Sequence, residues 1–314
     1  MLDLNALMEI GHKIKINDLE DAINDLNKAI ELNPNDANAH LLRGKAKLGL
    51  KQYKNAIDDF SKARELNVRG PLTSAIHHTY RGIGEAKLGL KQYKNAIDDF
   101  SKAIELSPNY GRAYLQRGLA RFEIKQYEEA IKDFNKVISI DPNDSNAYLH
   151  RAFVKMDLKQ YKEVIHDLNK SIELNPNDDR SYWVRGLARF EINQYEEAIK
   201  DFNKLISIDP NDGDAYYHCG LARKNLKQYK EAVKDFTKAQ ELHTNILDNA
   251  YLLELCKREL HQYQDAVNDL SNLLEKYPND VNCLLLRASA KRKLGDNEGA
   301  DADDRKAEKL KNNL

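Results

Sequence analysis

RGLARFEIKQYEEAIKDFNKVISIDPND, Arg117 to Asp144, is the stretch whose reading decides the fold. It returns at Arg185 to Asp212 as RGLARFEINQYEEAIKDFNKLISIDPND, altered only at Lys125/Asn193 and Val137/Leu205. The shift is 68 residues, and a weaker copy lies halfway between, at 34. A sustained short period implies stacked units that bury a core only against their neighbours. It therefore overrides the prior of about two globular domains that a chain of 314 residues would carry.

With Asp3 as position 1, the units run 3–36, 37–70, 77–110, 111–144, 145–178, 179–212, 213–246, 247–280 and 281–314, with an insertion at 71–76. Each reads as two helices. In the fourth, apolar residues recur at three-to-four spacing from Arg112 to Phe122, and the run breaks at IKQY. It resumes from Glu128 to Ile140 with Ala130, Ile131, Phe134, Val137 and Ile138 on one face. Asp-Pro-Asn-Asp at 141–144 ends the second helix, because proline disfavours helical geometry in the residue before it. The Asn/Asp pair that follows can cap the next helix. Pro34, Pro108, Pro142, Pro176, Pro210 and Pro278 all occupy this junction.

Position 8 is Gly44, Gly84, Gly118, Gly186 and Gly220, with Ala152 and Ala288 as near substitutes, and position 20 is Ala in eight units. Mid-helix glycine costs about 1 kcal/mol, so its recurrence requires close helix packing. Small residue at 8, Tyr at 17 (Tyr53, Tyr93, Tyr127, Tyr161, Tyr195, Tyr229, Tyr263), Ala at 20, aromatic at 24 and Pro at 32 resemble the tetratricopeptide repeat. The resemblance covers essentially the whole chain. It implies an all-α fold: a right-handed superhelical α-solenoid of about nine antiparallel helix pairs in one array, with first helices lining the concave face.

Four regions depart from the pattern. The first unit has Ile10 and Leu19 at positions 8 and 17 and an apolar first helix with Leu2, Leu4, Leu7, Met8, Ile10 and Ile14, which suggests weak self-association, a truncated start, or an ordinary end helix. Thr73 or Ser74 of the insertion is expected to cap a longer helix. In the eighth unit Glu254 faces Ala266 and Thr244 replaces the junction proline, so that helix pair is expected to splay. The ninth unit carries Asp301, Asp304 and Glu308 where others are apolar, which reads as a C-terminal cap.

Position 23 is Asp and position 11 is basic in all nine units, and Arg43, Arg117, Arg151, Arg185 and Arg287 hold position 7. This reads as an ion-pair ladder between helices. If the pairs are exposed, each contributes about 0–1 kcal/mol.

A net charge of −1 argues against nucleic acid as a partner, since counterion displacement needs an excess of Lys and Arg. No apolar run approaches a bilayer span, and no signal peptide is visible. Cys219, Cys256 and Cys283 are widely spaced, which reads as reduced thiols in a cytoplasmic protein rather than a metal site. No phosphate loop, GxSxG or HExxH is present, and the adjacent pairs Glu128-Glu129 and Glu196-Glu197 point apart on a helix. Neither enzyme activity nor a cofactor is expected.

In the family that the chain resembles, positions 2, 5, 9, 12 and 13 of each first helix face the groove. Here they include Leu115, Leu119, Phe122, Leu149, Phe153, Met156, Trp183, Leu187, Phe190, Tyr217 and Leu221, flanked by Arg112, Gln116, Asn146, His150, Arg180 and His218. Packing between neighbouring first helices accounts for part of this stripe. The remainder suits an apolar helix or extended peptide of another protein. Lys224, Arg258, Glu259, Arg292 and Lys293 make the C-terminal third more charged, fit to meet an acidic flank of the same ligand. The expected function is a non-catalytic interaction scaffold. Alternatives are a self-assembling structural protein or a regulatory subunit that tethers an enzyme.

Overall fold

The computed structural model describes residues 16–68, 76–242 and 246–312. The apolar N-terminal segment, Thr73, Ser74 and Thr244 lie outside them. The described residues form helices and short connections, with no strand among them. The second helix of the first unit is α1 (Ile16–Leu32). Successive units then supply α2 (Ala37–Gly49) and α3 (Tyr53–Val68), α4 (Ile76–Gly89) and α5 (Tyr93–Leu106), α6 (Gly111–Glu123) and α7 (Tyr127–Ile140), and α8 (Ser145–Asp157) and α9 (Tyr161–Leu174). They continue with α10 (Asp179–Glu191) and α11 (Tyr195–Ile208), α12 (Gly213–Asn225) and α13 (Tyr229–Glu241), α14 (Ile246–Glu259) and α15 (Tyr263–Lys276), and α16 (Val281–Lys293) and α17 (Asn297–Lys311).

The turns explain why the pairs repeat so closely. Lys51 N–H donates to the Leu48 carbonyl and Gln52 N–H to the Lys47 carbonyl, a helix-ending motif that places Lys51 in left-handed geometry at φ 58°. The same place holds Lys91, Lys125, Lys159, Asn193, Lys227 and His261 at positive φ, and Gly295 in the ninth unit. At the junctions between units, Asp36, Asp144, Asp212 and Asp280 accept from backbone N–H groups of the next helix, as the sequence suggested.

Two compact bodies divide at Val154/Lys155, within α8. In the N-terminal body α2 contacts α4 and α4 contacts α6; in the C-terminal body α12 contacts α14 and α14 contacts α16. Successive second helices make no comparable contact among the described residues. Each body therefore curves with its first helices inside.

Phe60, Phe100, Phe134, Phe202 and Phe236 are fully buried at position 24, each beneath the glycine at position 8 of its own unit. The charged ladder is also present, and except at Asp25 and Asp269 its carboxylates are buried. Asp133 is 2% exposed and Asp201 2%, while Asp167 is wholly buried. Arg117 binds Asp133 through Nε at 3.0 Å and Nη2 at 2.7 Å, and Arg121 adds a bond of 2.7 Å to the same carboxylate. Arg117 Nη1 then donates to Ser101 of the preceding unit at 3.0 Å. Arg43–Asn27, Arg151–Asn135, Arg185–Asn169 and Arg287–Ser271 repeat that inter-unit bond.

The number of cations separates two pairs of these carboxylates. Burial pushes Asp59 and Asp303 up, but paired hydrogen bonds from Arg43 and Lys47, or from Arg287 and Lys291, bring both below the ordinary carboxylate value. In the third and seventh units Ile83 and Cys219 replace the arginine. There burial prevails over Lys87 and Arg223 respectively, and Asp99 is raised while Asp235 rises to about 6.

A recurring residue that the sequence reading passed over is the aromatic at position 4. Tyr114, Tyr148 and Tyr182 donate hydroxyl protons to the carbonyls of Pro108, Pro142 and Pro176 across the preceding junction. Their rings lie 5.4–5.5 Å beneath Arg117, Arg151 and Arg185. The signal was the recurrence of Tyr at that place in five units.

Candidate partner-binding face

The inner face of the N-terminal body is built from α2, α4, α6 and the start of α8. Leu115, Leu119, Phe122 and Phe153 are half-buried on it. Phe122 meets Tyr127 with ring centres 6.0 Å apart, and Phe153 meets His150 at 5.6 Å. Leu149 is 1% exposed, so this side chain belongs to the core and offers a partner no surface. Part of the predicted stripe is therefore core rather than surface. Arg112 and Asn146 are exposed, and Gln116 and His150 are half-buried. Arg112, Leu115 and Gln116 share an open cleft with Val137, Ile140, Asp141 and Asp144.

In the C-terminal body Met156, Trp183, Leu187, Phe190, Tyr217 and Leu221 are all half-buried. Trp183 stands edge-on to Phe202 at 5.8 Å and to His218 at 4.9 Å. Phe190 lies 5.2 Å from Tyr195, and Tyr217 lies 6.0 Å from Phe236. Each ring therefore has one side on its own unit's core and one edge toward solvent. Such anchoring removes rotamer freedom before any ligand arrives, which lowers the entropic cost of binding. Arg180 pairs with Asp178 at 2.8 Å, and the His218 ring bonds the Asp214 carbonyl at 2.9 Å.

Tyr251 and Leu285 were not among the residues expected here, yet they are 43% and 37% exposed. Both occupy position 5, the same place as Leu115, Trp183 and Tyr217, so the frame itself carried their signal. One charge in this body is already engaged. Arg292 donates to Asp301 at 3.1 Å and also to Asp304, so it caps its own unit rather than awaiting an acidic ligand.

All three cysteines are buried and free, and burial pushes their thiols up to about 12 for Cys219, 11 for Cys256 and 12 for Cys283. Among the described residues no group of three or more His, Cys, Asp or Glu side chains forms a metal-binding cluster. No described helix is long and apolar enough to cross a membrane.

Models of the TPR or tetratricopeptide repeat match residues 14–50 and 186–227, 111–144, and 78–110, 145–178 and 213–244. The chain belongs to the tetratricopeptide repeat family. Its repeats are TPR helix pairs, and its solved neighbours are TPR solenoids. MamA from Desulfovibrio magneticus is 27% identical and superposes with a TM-score of 0.51 over 53% of this chain and 94% of that one. YrrB, described as a TPR protein with an unusual peptide-binding site, is 22% identical with a TM-score of 0.53 over 63% of this chain and 97% of that one. A tetratricopeptide repeat protein from Parabacteroides merdae, 16% identical, gives a TM-score of 0.55 over 81% of this chain and 98% of that one. The last two show the fold alone. No curated protein was found to match the chain.

Proposed function

We propose that this TPR protein is a non-catalytic scaffold, of cytoplasmic residence, that holds an apolar segment of a partner protein against the inner face of its first helices. The observation that carries this reading is that each body sets half-buried aromatic and aliphatic side chains on its own first helices, with Trp183 and Tyr217 held edge-on to the buried Phe202 and Phe236. Arg112, Gln116, Asn146 and His150 are the polar rim in the N-terminal body, and Arg180 and His218 that in the C-terminal body. Aromatic anchors edged by Arg and other polar groups are the composition of interface cores. Reduced, buried thiols accord with a cytoplasmic setting.

Peptides selected on the immobilised native chain provide the test. They should bind a Phe153→Ala, Trp183→Ala double variant at least tenfold more weakly, a loss of about 1.4 kcal/mol, while far-ultraviolet circular dichroism stays unchanged. Selected peptides that bind the folded double variant as well as they bind the native chain would remove this reading.

A further inference from the structure

Two nearly identical helix pairs differ at the walls of one cleft. Arg117 to Asp144 and Arg185 to Asp212 are the same but for Lys125/Asn193 and Val137/Leu205. Val137 lines the open cleft of the fourth unit, between the start of α6 and the end of α7, with a volume of about 380 Å³. A water's share of liquid volume is about 30 Å³, so the space equals about a dozen waters.

The sixth unit shows what fills the equivalent place. Gly111, Leu115 and Val137 correspond there to Asp179, Trp183 and Leu205, and each is the smaller of its pair. Gln116 stands for Val184, while Arg112, Ile140, Asp141 and Asp144 recur unchanged as Arg180, Ile208, Asp209 and Asp212. The Trp183 indole packs against the core cluster that includes Phe202, Leu205 and Ala215. The counterparts Phe134, Val137 and Ala147 are buried too, but Leu115 stands at the place of the indole.

The histidine at position 6 of the following unit registers the difference. His218 meets the edge of Trp183 with ring centres 4.9 Å apart. His150, at the same place, lies 6.1 Å from Phe134 and 5.6 Å from Phe153, and Leu115 offers it no ring. Relative to its copy, the fourth unit is therefore short of one aromatic side chain. Asp141 is exposed at the cleft and Asp144 half-buried, so carboxylate acceptors stand beside the gap.

We propose that this cleft seats an aromatic side chain, tryptophan above all, of the partner segment held on the inner face of the N-terminal body. The proposal rests on the apolar-groove reading above and names one residue of that ligand. An incoming ring covers Leu115, Val137 and Ile140 and displaces water from apolar walls. It also gives His150 the edge-to-face neighbour that His218 already has, an arrangement aromatic pairs favour. An indole N–H is a donor, which suits the acceptors of Asp141 and Asp144. A bulky ring lodged in a preformed pocket is the usual anchor of an interface.

5-Fluoroindole, followed by fluorine NMR with the full chain, tests the seat directly. It should bind saturably, and Leu115→Trp, which supplies the chain's own ring as in the sixth unit, should weaken it at least tenfold with far-ultraviolet circular dichroism unchanged. Val137→Leu, the milder change and again the residue of the sixth unit, should weaken it severalfold. Peptides selected on the native chain should displace the probe. Absence of saturable binding, or both variants binding the probe as the native chain does, would overturn the proposal. Peptides that lose affinity for the Phe153→Ala, Trp183→Ala variant yet leave the probe in place would keep the groove and remove the seat. Peptides indifferent to that double variant would remove the groove reading, and the seat with it, even where Leu115→Trp still blocks the probe.

Discussion

Gly118 lies so close to the ring of Phe134 that a Cβ on the glycine would stand 2.7 Å from Cε1. The relation recurs at Gly44/Phe60, Gly84/Phe100, Gly186/Phe202 and Gly220/Phe236. Where position 8 is larger, as in Ala152, Glu254 and Ala288, position 24 is Leu168, Leu270 or Asp304 instead. Close approach, rather than backbone freedom, keeps the glycines. Gly118→Ala is expected to destabilise the chain by about 1–2 kcal/mol, because overpacking outweighs the gain in helix propensity. Adding Phe134→Leu should recover part of that loss. Urea denaturation of the two singles and the double measures the coupling, and simple additivity would contradict this account.

Asp133→Ala should cost about 3 kcal/mol, well above the 0–1 kcal/mol of an exposed pair, because Arg117 and Arg121 would keep buried charges without their acceptor. Peptide affinity for the inner face should be unchanged, since the carboxylate lies within the helix pair. A drop of a few tenths of a kcal/mol in chemical denaturation would show that the pair is solvated in solution.

Glu254 is 2% exposed in the position that elsewhere holds glycine or alanine, and neither carboxyl oxygen has a hydrogen-bond partner. Its helix, α14, packs on α15 less extensively than α12 packs on α13, which is the loosening the sequence implied. Burial pushes the carboxyl up to about 7; Arg258 and Lys257 on the same helix oppose that shift, and Asp269 on α15 reinforces it. The folded chain therefore holds a proton that the unfolded chain releases nearer its ordinary value of 4.5. Stability falls as pH rises from that value through about 7. Glu254→Gln should flatten the dependence, gaining roughly 2–3 kcal/mol over the native chain at pH 8.5 and little at pH 4.5. Amide exchange in α14 and α15 at both pH values reads the effect, and an equal gain at both would reject it.

Cys219 Sγ lies 3.7 Å from Asn203 Oδ1, the counterpart of Asn169, which Arg185 reaches in the unit before. Cys219→Arg should therefore give Asp235 a second cation. Its carboxyl should move from about 6 to below the usual carboxylate range, matching Asp59. Carbon-detected titration of Asp235 checks the shift, and an unmoved carboxyl would mean that the new guanidinium points elsewhere.

The repeat frame, the helix pairs and the Asp ladder were all readable from the sequence, because 34-residue recurrence exposes whatever every unit needs. Burial was harder to read. Periodicity places Leu149 and Leu119 on one face, yet the first is buried and the second half-buried, a difference that the apolar pattern does not carry. The lysines at positive φ were likewise invisible, since Lys carries no left-handed signature and the turn is imposed by the helices it joins. Tyr114 and its copies looked like ordinary helix residues until the junction carbonyl lay within reach.

Arg43, Arg117, Arg185 and Arg287 at position 7 are each bonded both to their own unit and to the unit before it, so they set how far a local opening spreads. A stacked array unfolds in blocks whose edges fall where nearest-neighbour coupling is weakest. Ile83, Cys219 and Leu253 occupy that place without a guanidinium. Heating or pulling should therefore break the chain's cooperativity ahead of the third, seventh and eighth units, and fragments cut there should retain the most native structure.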